Sequence, residues 1–183
     1  MTLVRWHPDD LARRMDEVLE VFGEAMSYDK RALEVRRGYI TTHLRRKHFR
    51  AVASIADDGR LIGFGYGYHS EPGQWWHDQV YDALTEDDRH RWLNSCFEVV
   101  ELHVRPVEQG HGVGEGQLRD LLSLTSDRTT LLSTPEADER ESRAWRLYRR
   151  LGFVDVARHL LFPGDPRPFA VLGRQLPMRG PSA

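Results

Sequence analysis

The sequence predicts an α+β fold, α/β in looser usage, with a mixed central sheet, one parallel crossover and flanking helices. Strand-like alternation and helical apolar spacing follow one another from Thr2 to Leu176. Phe97 to Val104, Gly112 to about Asp127 and Thr129 to Ser133 read as strand, helix and strand, a right-handed crossover joining parallel strands. The chain has 183 residues, 40% of them hydrophobic and 30% charged, which suits a single domain over residues 1–183 with one sizeable core.

Thr2 to His7 reads as a short strand stopped by Pro8, after which Asp9 or Asp10 can cap a helix by accepting from its free amides. Leu11, Met15, Val18, Leu19 and Phe22 then recur at helical spacing. A second helix runs from about Asp29 to His48, with Leu33, Arg36, Tyr39, Ile40, His43 and Leu44 on one side. Phe49 to Ala56 and Leu61 to His69 form a hairpin about Asp57-Asp58-Gly59. Gly63, Gly65 and Gly67 leave one face of its second strand bare, for a ligand or for close backbone packing. Residues 71–95 read as a helical insertion of two short helices, with Thr85 and Asp88 at capping-box spacing. Glu141 to Leu151 is a helix ended by Gly152, and Val154 to Phe162 with Pro168 to Leu176 closes the chain as a hairpin.

Composition removes several classes of function. The net charge of -2 gives no field for nucleic acid or an anionic membrane, and the basic cluster Arg45, Arg46, Lys47, His48 and Arg50 reads as a solvated helix end. No stretch is a signal peptide or long enough to span a bilayer, and the lone Cys96 fits a reducing compartment, so the expected location is the cytoplasm. The nine histidines show no metal-ligand spacing, and Cys96 has no activating neighbour in sequence.

The chemistry concentrates in Glu101 to Gly116, where a strand ends, Pro106 interrupts pairing and a glycine-dense turn feeds a helix. Glycines there let backbone amides converge at a helix N-terminus, which suits an anion. A nucleotide P-loop would end in Gly-Lys-Ser/Thr, but Gly114-Glu115-Gly116 stands there. A dinucleotide fingerprint would need a third glycine at Glu115 or Gln117.

Gln109-x-x-Gly112-x-Gly114 resembles the acyl-CoA pyrophosphate loop of the GNAT N-acetyltransferase superfamily. Leu102-His-Val-Arg-Pro precedes it, and Ala144-Trp-Arg-Leu-Tyr-Arg-Arg-Leu-Gly-Phe, similar to the family's late helix, follows a strand later. Two positions depart from the family: Glu141 stands where an asparagine is common, and Glu115 lies in the first helical turn. The resemblance implies direct transfer of acetyl from acetyl-CoA to a primary amine, without a covalent acyl-enzyme. Its implied cofactor residues are Leu102, His103 and Val104 at the strand end and Gln109, Gly110, His111, Gly112, Val113 and Gly114 in the loop. The N–H of Leu102 or His103 would donate to the thioester oxygen.

An amine must lose a proton before it attacks, so a base is required. Glu98, Glu101 and His103 lie on the strand, with Glu101 and His103 sharing a face; Glu101 occupies the family's usual acid position and is favoured as base or amine anchor. Tyr148 matches the family tyrosine that faces the CoA sulfur and would protonate the leaving thiolate. Trp75 and Trp76 either wall the acceptor pocket or anchor the insertion. The acceptor is a small-molecule or peptide amine and the protein a monomer or homodimer. A non-catalytic CoA-binding module is the rival reading.

Overall fold

The computed structural model describes residues 1–178. Two compact units divide it, residues 1–68 with 99–125 and, among the described residues, 69–98 with 126–178.

The first unit opens with strand β1 (Thr2–Trp6) and helices α1 (Pro8–Arg13) and α2 (Met15–Met26). The single helix expected here is two, because Arg14 leaves helical geometry at φ -108°. The cap is His7 rather than Asp9 or Asp10; Asp10, three residues on, accepts from the His7 amide at 2.8 Å. Helix α3 (Lys30–His43) is capped by Asp29, which accepts from Ala32, and stops five residues before the expected His48. Strands β2 (Arg50–Ile55) and β3 (Leu61–Ser70) form the expected hairpin, and β1 pairs antiparallel with β2. The apolar sides of α1 and α2 meet Ile40, Phe49, Phe64, Tyr66 and Tyr68 in the core. Strand β4 (Cys96–Val104) completes this side of the sheet, and α6 (Val113–Ser123) follows it, ending before the expected Asp127.

At Gly63 and Gly65 the bare face of β3 is a packing requirement. A Cβ on Gly63 would lie 2.6 Å from the His103 carbonyl and 2.8 Å from the Gln117 side chain. Backbone cannot yield cheaply, so Gly63→Ala should lower stability by roughly 1–3 kcal/mol. Gly38→Ala in α3, whose Cβ meets nothing within 4 Å, should be neutral or stabilising. Urea midpoints of the two variants test the contrast, and equal midpoints would refute it.

In the second unit, α4 (Trp75–Ala83) and α5 (Glu86–Trp92) are the two short helices expected over this stretch, with Thr85 accepting from the Asp88 amide at 3.2 Å. Strand β5 (Thr129–Pro135) runs parallel to β4 through Cys96, Phe97 and Glu98. Helix α7 (Arg143–Arg150) and the hairpin of β6 (Val154–Leu161) and β7 (Pro168–Gln175) follow, with β7 lying between β5 and β6. Trp76, Val80, Leu84, Trp92, Leu131 and Val171 form its core. Within the first unit the strand order is β1-β2-β3-β4, and within the second β4-β5-β7-β6, mixed in direction as expected. Among the described residues no helix is long and apolar enough to cross a membrane.

Candidate active site

The glycine loop takes its shape from two backbone positions. Gly110 (φ +88°) and Gly112 (φ +81°) adopt left-handed geometry, which a side chain disfavours. Neither is glycine for want of room, since a Cβ at either meets no protein atom within 4 Å. The loop therefore keeps open space in front of it, and Gly112 caps α6, whose first-turn amides at Val113 and Gly114 have no carbonyl a turn earlier. Gln109 fastens the loop's start, its side-chain amide donating to the Val104 carbonyl at 2.9 Å. Glu115 is paired with Arg119 at 2.9 Å, so its charge is partly met. His111 is exposed. These features suit a pyrophosphate: open space, amides at a helix start and a helix dipole.

On β4, Glu101 and His103 share a face, as alternation requires. Glu101 is buried at 7% exposure; its Oε1 accepts from Arg36 at 2.9 Å and its Oε2 lies 2.5 Å from His103 Nε2. The His103 ring stands edge-on to Phe22, centroids 4.9 Å apart, with Phe64 at 5.6 Å. Burial disfavours the Glu101 charge, but His103, Arg36 and His43 together outweigh it and hold the carboxyl below its ordinary value. His43 accepts or donates at 2.9 Å with the Tyr66 hydroxyl. Burial pushes its pKa down to about 4 against the pull of Glu101, with Arg36 and Arg46 adding to the effect, so it is neutral at pH 7. Helices α2 and α3 and strands β3 and β4 thus converge on one carboxylate. Leu102 lies between Glu101 and His103, its side chain meeting Gly65 on β3.

The remaining candidates lie in the second unit. Glu98 is buried there. Tyr148 is held by the way α7 ends. Gly152 is left-handed (φ +76°), its amide donates to Arg149 and that of Phe153 to Tyr148, which is the Schellman pattern. The Phe153 ring packs on Tyr148 at 5.8 Å, as that pattern favours. The Leu-Gly-Phe sequence is thus a helix terminator that fixes the turn bearing Tyr148. Trp76 is buried and donates to Ser133 at 3.0 Å, anchoring α4 to β5; Trp75 is 56% exposed against Phe162.

The family profile for acetyltransferases of the GNAT type matches residues 15–153. A GCN5-like protein acetyltransferase of Mycobacterium tuberculosis is 39% identical over 202 aligned positions, covering 96% of this chain and 98% of that one. The chain belongs to the GNAT acetyltransferase family. As a family member it is an acyltransferase enzyme rather than a passive CoA-binding module. Solved GNAT structures share the fold at low identity. An aminoglycoside 6'-acetyltransferase of type Ii superposes with TM-score 0.68 at 14% identity, covering 98% of this chain and 100% of its own. A Salmonella typhimurium protein solved with its cofactor acetyl-CoA does so at 0.62 and 14%, covering 100% and 98%.

Sequence reasoning did not single out Arg36, His43, Phe22, Phe64 or Tyr66 as a group. Two signals were there to use. Arg36, Tyr39 and His43 interrupt the apolar side of α3 with polar groups, and Phe64, Tyr66 and Tyr68 alternate with the glycines of β3.

Proposed function

We propose that this GNAT enzyme moves an acetyl group from acetyl-CoA to a primary amine by direct attack, working as a single acyltransferase domain. The observation that carries the reading is the buried Glu101–His103 pair on the strand that enters the glycine loop. Acetyl-CoA, when bound, supplies the acetyl group as an activated thioester. Val113 and Gly114 would donate their amides to its pyrophosphate, with Gly110 and Gly112 keeping the approach clear. The N–H of Leu102 or His103 would donate to the carbonyl oxygen as negative charge builds there. Tyr148 would give its proton to the departing thiolate, a role that rests on its place before Leu-Gly-Phe.

Magnitudes decide what Glu101 does. A lysine-type ammonium has an ordinary pKa of about 10.4 and a glutamate about 4.3, with about 1.36 kcal/mol per unit. Proton transfer onto Glu101 alone would run uphill by at least about 8 kcal/mol. We therefore assign Glu101 as the anchor of the acceptor's ammonium. We assign His103, whose Nε2 lies 2.5 Å from Glu101, as the group that passes the amine's proton to solvent.

We assign the acceptor's charged end to Glu101 rather than to Trp75 and Trp76. A protein lysine fits this anchor, and the Mycobacterium tuberculosis relative is named a protein acetyltransferase. Burial pushes the Cys96 thiol well above its ordinary range, which supports a bystander role and is compatible with a reducing cytoplasm. The deciding assay incubates the protein with acetyl-CoA and a panel of lysine peptides, polyamines and aminoglycosides, read by thiol release. Release no faster than the acceptor-free blank across the panel would sink the reading.

A narrower test concerns the loop. Gly112→Val forces a β-branched residue into φ +81° and is expected to weaken CoA binding at least tenfold, about 1.4 kcal/mol. Calorimetry on the folded variant measures this, and an unchanged affinity means the phosphates bind elsewhere.

A further inference from the structure

The Arg36 guanidinium sits where a substrate cation would be expected. Its Nη1 meets Glu101 Oε1 at 2.9 Å, and its central carbon lies 4.8 Å from the Phe22 ring centroid and 5.8 Å from that of Tyr39. One carboxylate oxygen and two aromatic faces make a seat for any compact cation. The hold is not a two-pronged fork, because only one Arg36 nitrogen is bonded to Glu101 and the other oxygen belongs to His103. Oε1 is therefore the exchangeable side of the carboxylate.

The same arginine also has a way out. Its side chain is 30% exposed, and it lines a depression of about 400 Å³ with Tyr28, Asp29, Val35 and Tyr39. Val35 and Tyr39 are more than half exposed there, an apolar surface for the methylene stem of an unbranched amine.

We propose that Arg36 is an internal stand-in for the acceptor: its guanidinium fills the seat of Glu101, Phe22 and Tyr39, and an alkyl ammonium displaces it on binding. This deepens the amine-transfer reading and rests on it. It makes the acceptor a cation at the end of a flexible chain, as in a lysine side chain. It also makes Arg36 a specificity residue, since a neutral group cannot repay the loss of the resident charge from Glu101.

The test uses n-butylammonium as the probe, titrated into the full chain by calorimetry and followed through the His103 imidazole resonances. Arg36→Met keeps an unbranched stem over Phe22 and removes the charge, and it should bind the probe at least tenfold more tightly than wild type. Arg36→Lys should bind like wild type, and Arg36→Met with Glu101→Gln should lose the gain. Arg36→Gln serves if the Met variant does not fold. Equal or weaker binding by the uncharged variants, including no measurable binding by any, overturns the proposal and leaves Arg36 a residue that positions Glu101. The two readings fail separately. Tighter probe binding in a protein that never transfers acetyl sinks the amine-transfer reading, and transfer with unchanged seat affinity sinks this one.

Discussion

Glu101→Gln is expected to lower kcat/KM for the amine by at least a hundredfold at neutral pH, about 2.7 kcal/mol of lost stabilisation. Gln keeps the shape of the side chain and removes the charge that meets the ammonium, so the loss should appear chiefly in the acceptor KM. The defect should be largest at low pH, where the acceptor is fully protonated. It should shrink as pH rises towards the amine's own pKa, because a neutral amine has no charge for Glu101 to meet. Titration of Glu101 itself does not shape this window. His103, Arg36 and His43 hold its carboxyl below the ordinary value, so it is charged throughout a neutral or alkaline assay.

Stability supplies an independent check on that charge. A carboxyl with a depressed folded pKa contributes stability fully above its unfolded value, about 4.3, and loses it as pH falls through the folded one. Wild type should therefore exceed Glu101→Gln in stability near neutrality and converge with it in acid. A pH–rate series on Glu101→Gln, Glu98→Gln and His103→Gln separates the roles. His103→Gln should lower kcat with little change in acceptor KM. A Glu98 variant carrying the KM defect instead would move the anchor to the other face of β4.

What the sequence made legible was local. The glycine loop, the Thr85 cap and the Leu-Gly-Phe helix end each rest on residues within a few positions of one another, so spacing alone exposes them. The parallel crossover was legible because strand, helix and strand admit one handedness. Element ends were less so: nothing in Arg13-Arg14-Met15 announces a break, and the helical pattern of α3 runs on past His43 into Arg45 and Arg46. The surroundings of Glu101 were hidden for a different reason. Arg36 and Glu101 are 65 residues apart, and an ion pair between α3 and β4 leaves no periodic trace in either segment. Trp75 and Trp76 drew attention because aromatic pairs are rare in polar stretches, yet Trp76 is buried in the core of its own unit.

Tyr148→Phe is expected to lower turnover at least tenfold and to leave acetyl-CoA affinity within twofold of wild type. The variant is chosen because it keeps the ring contact with Phe153 and the backbone bonds that end α7. A phenyl ring in place of the phenol would still pack on Phe153, and the Schellman bonds that end α7 run through backbone atoms, which the substitution leaves in place. What is lost is a proton for the departing sulfur. A thiol has an ordinary pKa of about 8.5 and a phenol about 10, so full transfer to a free thiolate is uphill by about 2 kcal/mol. Partial transfer in the transition state is enough, and a well-placed general acid typically supplies about 10²–10⁴-fold. Tenfold is thus the lower edge of the effect if Tyr148 has this role. The measurement is single-turnover acetyl transfer, where product release cannot mask chemistry, paired with a thioester whose leaving thiol is more acidic than CoA. Such a thiolate needs less help, so the gap between wild type and Tyr148→Phe should narrow. A gap that stays constant across leaving groups would assign the hydroxyl to binding, and a variant with wild-type turnover would reduce Tyr148 to packing.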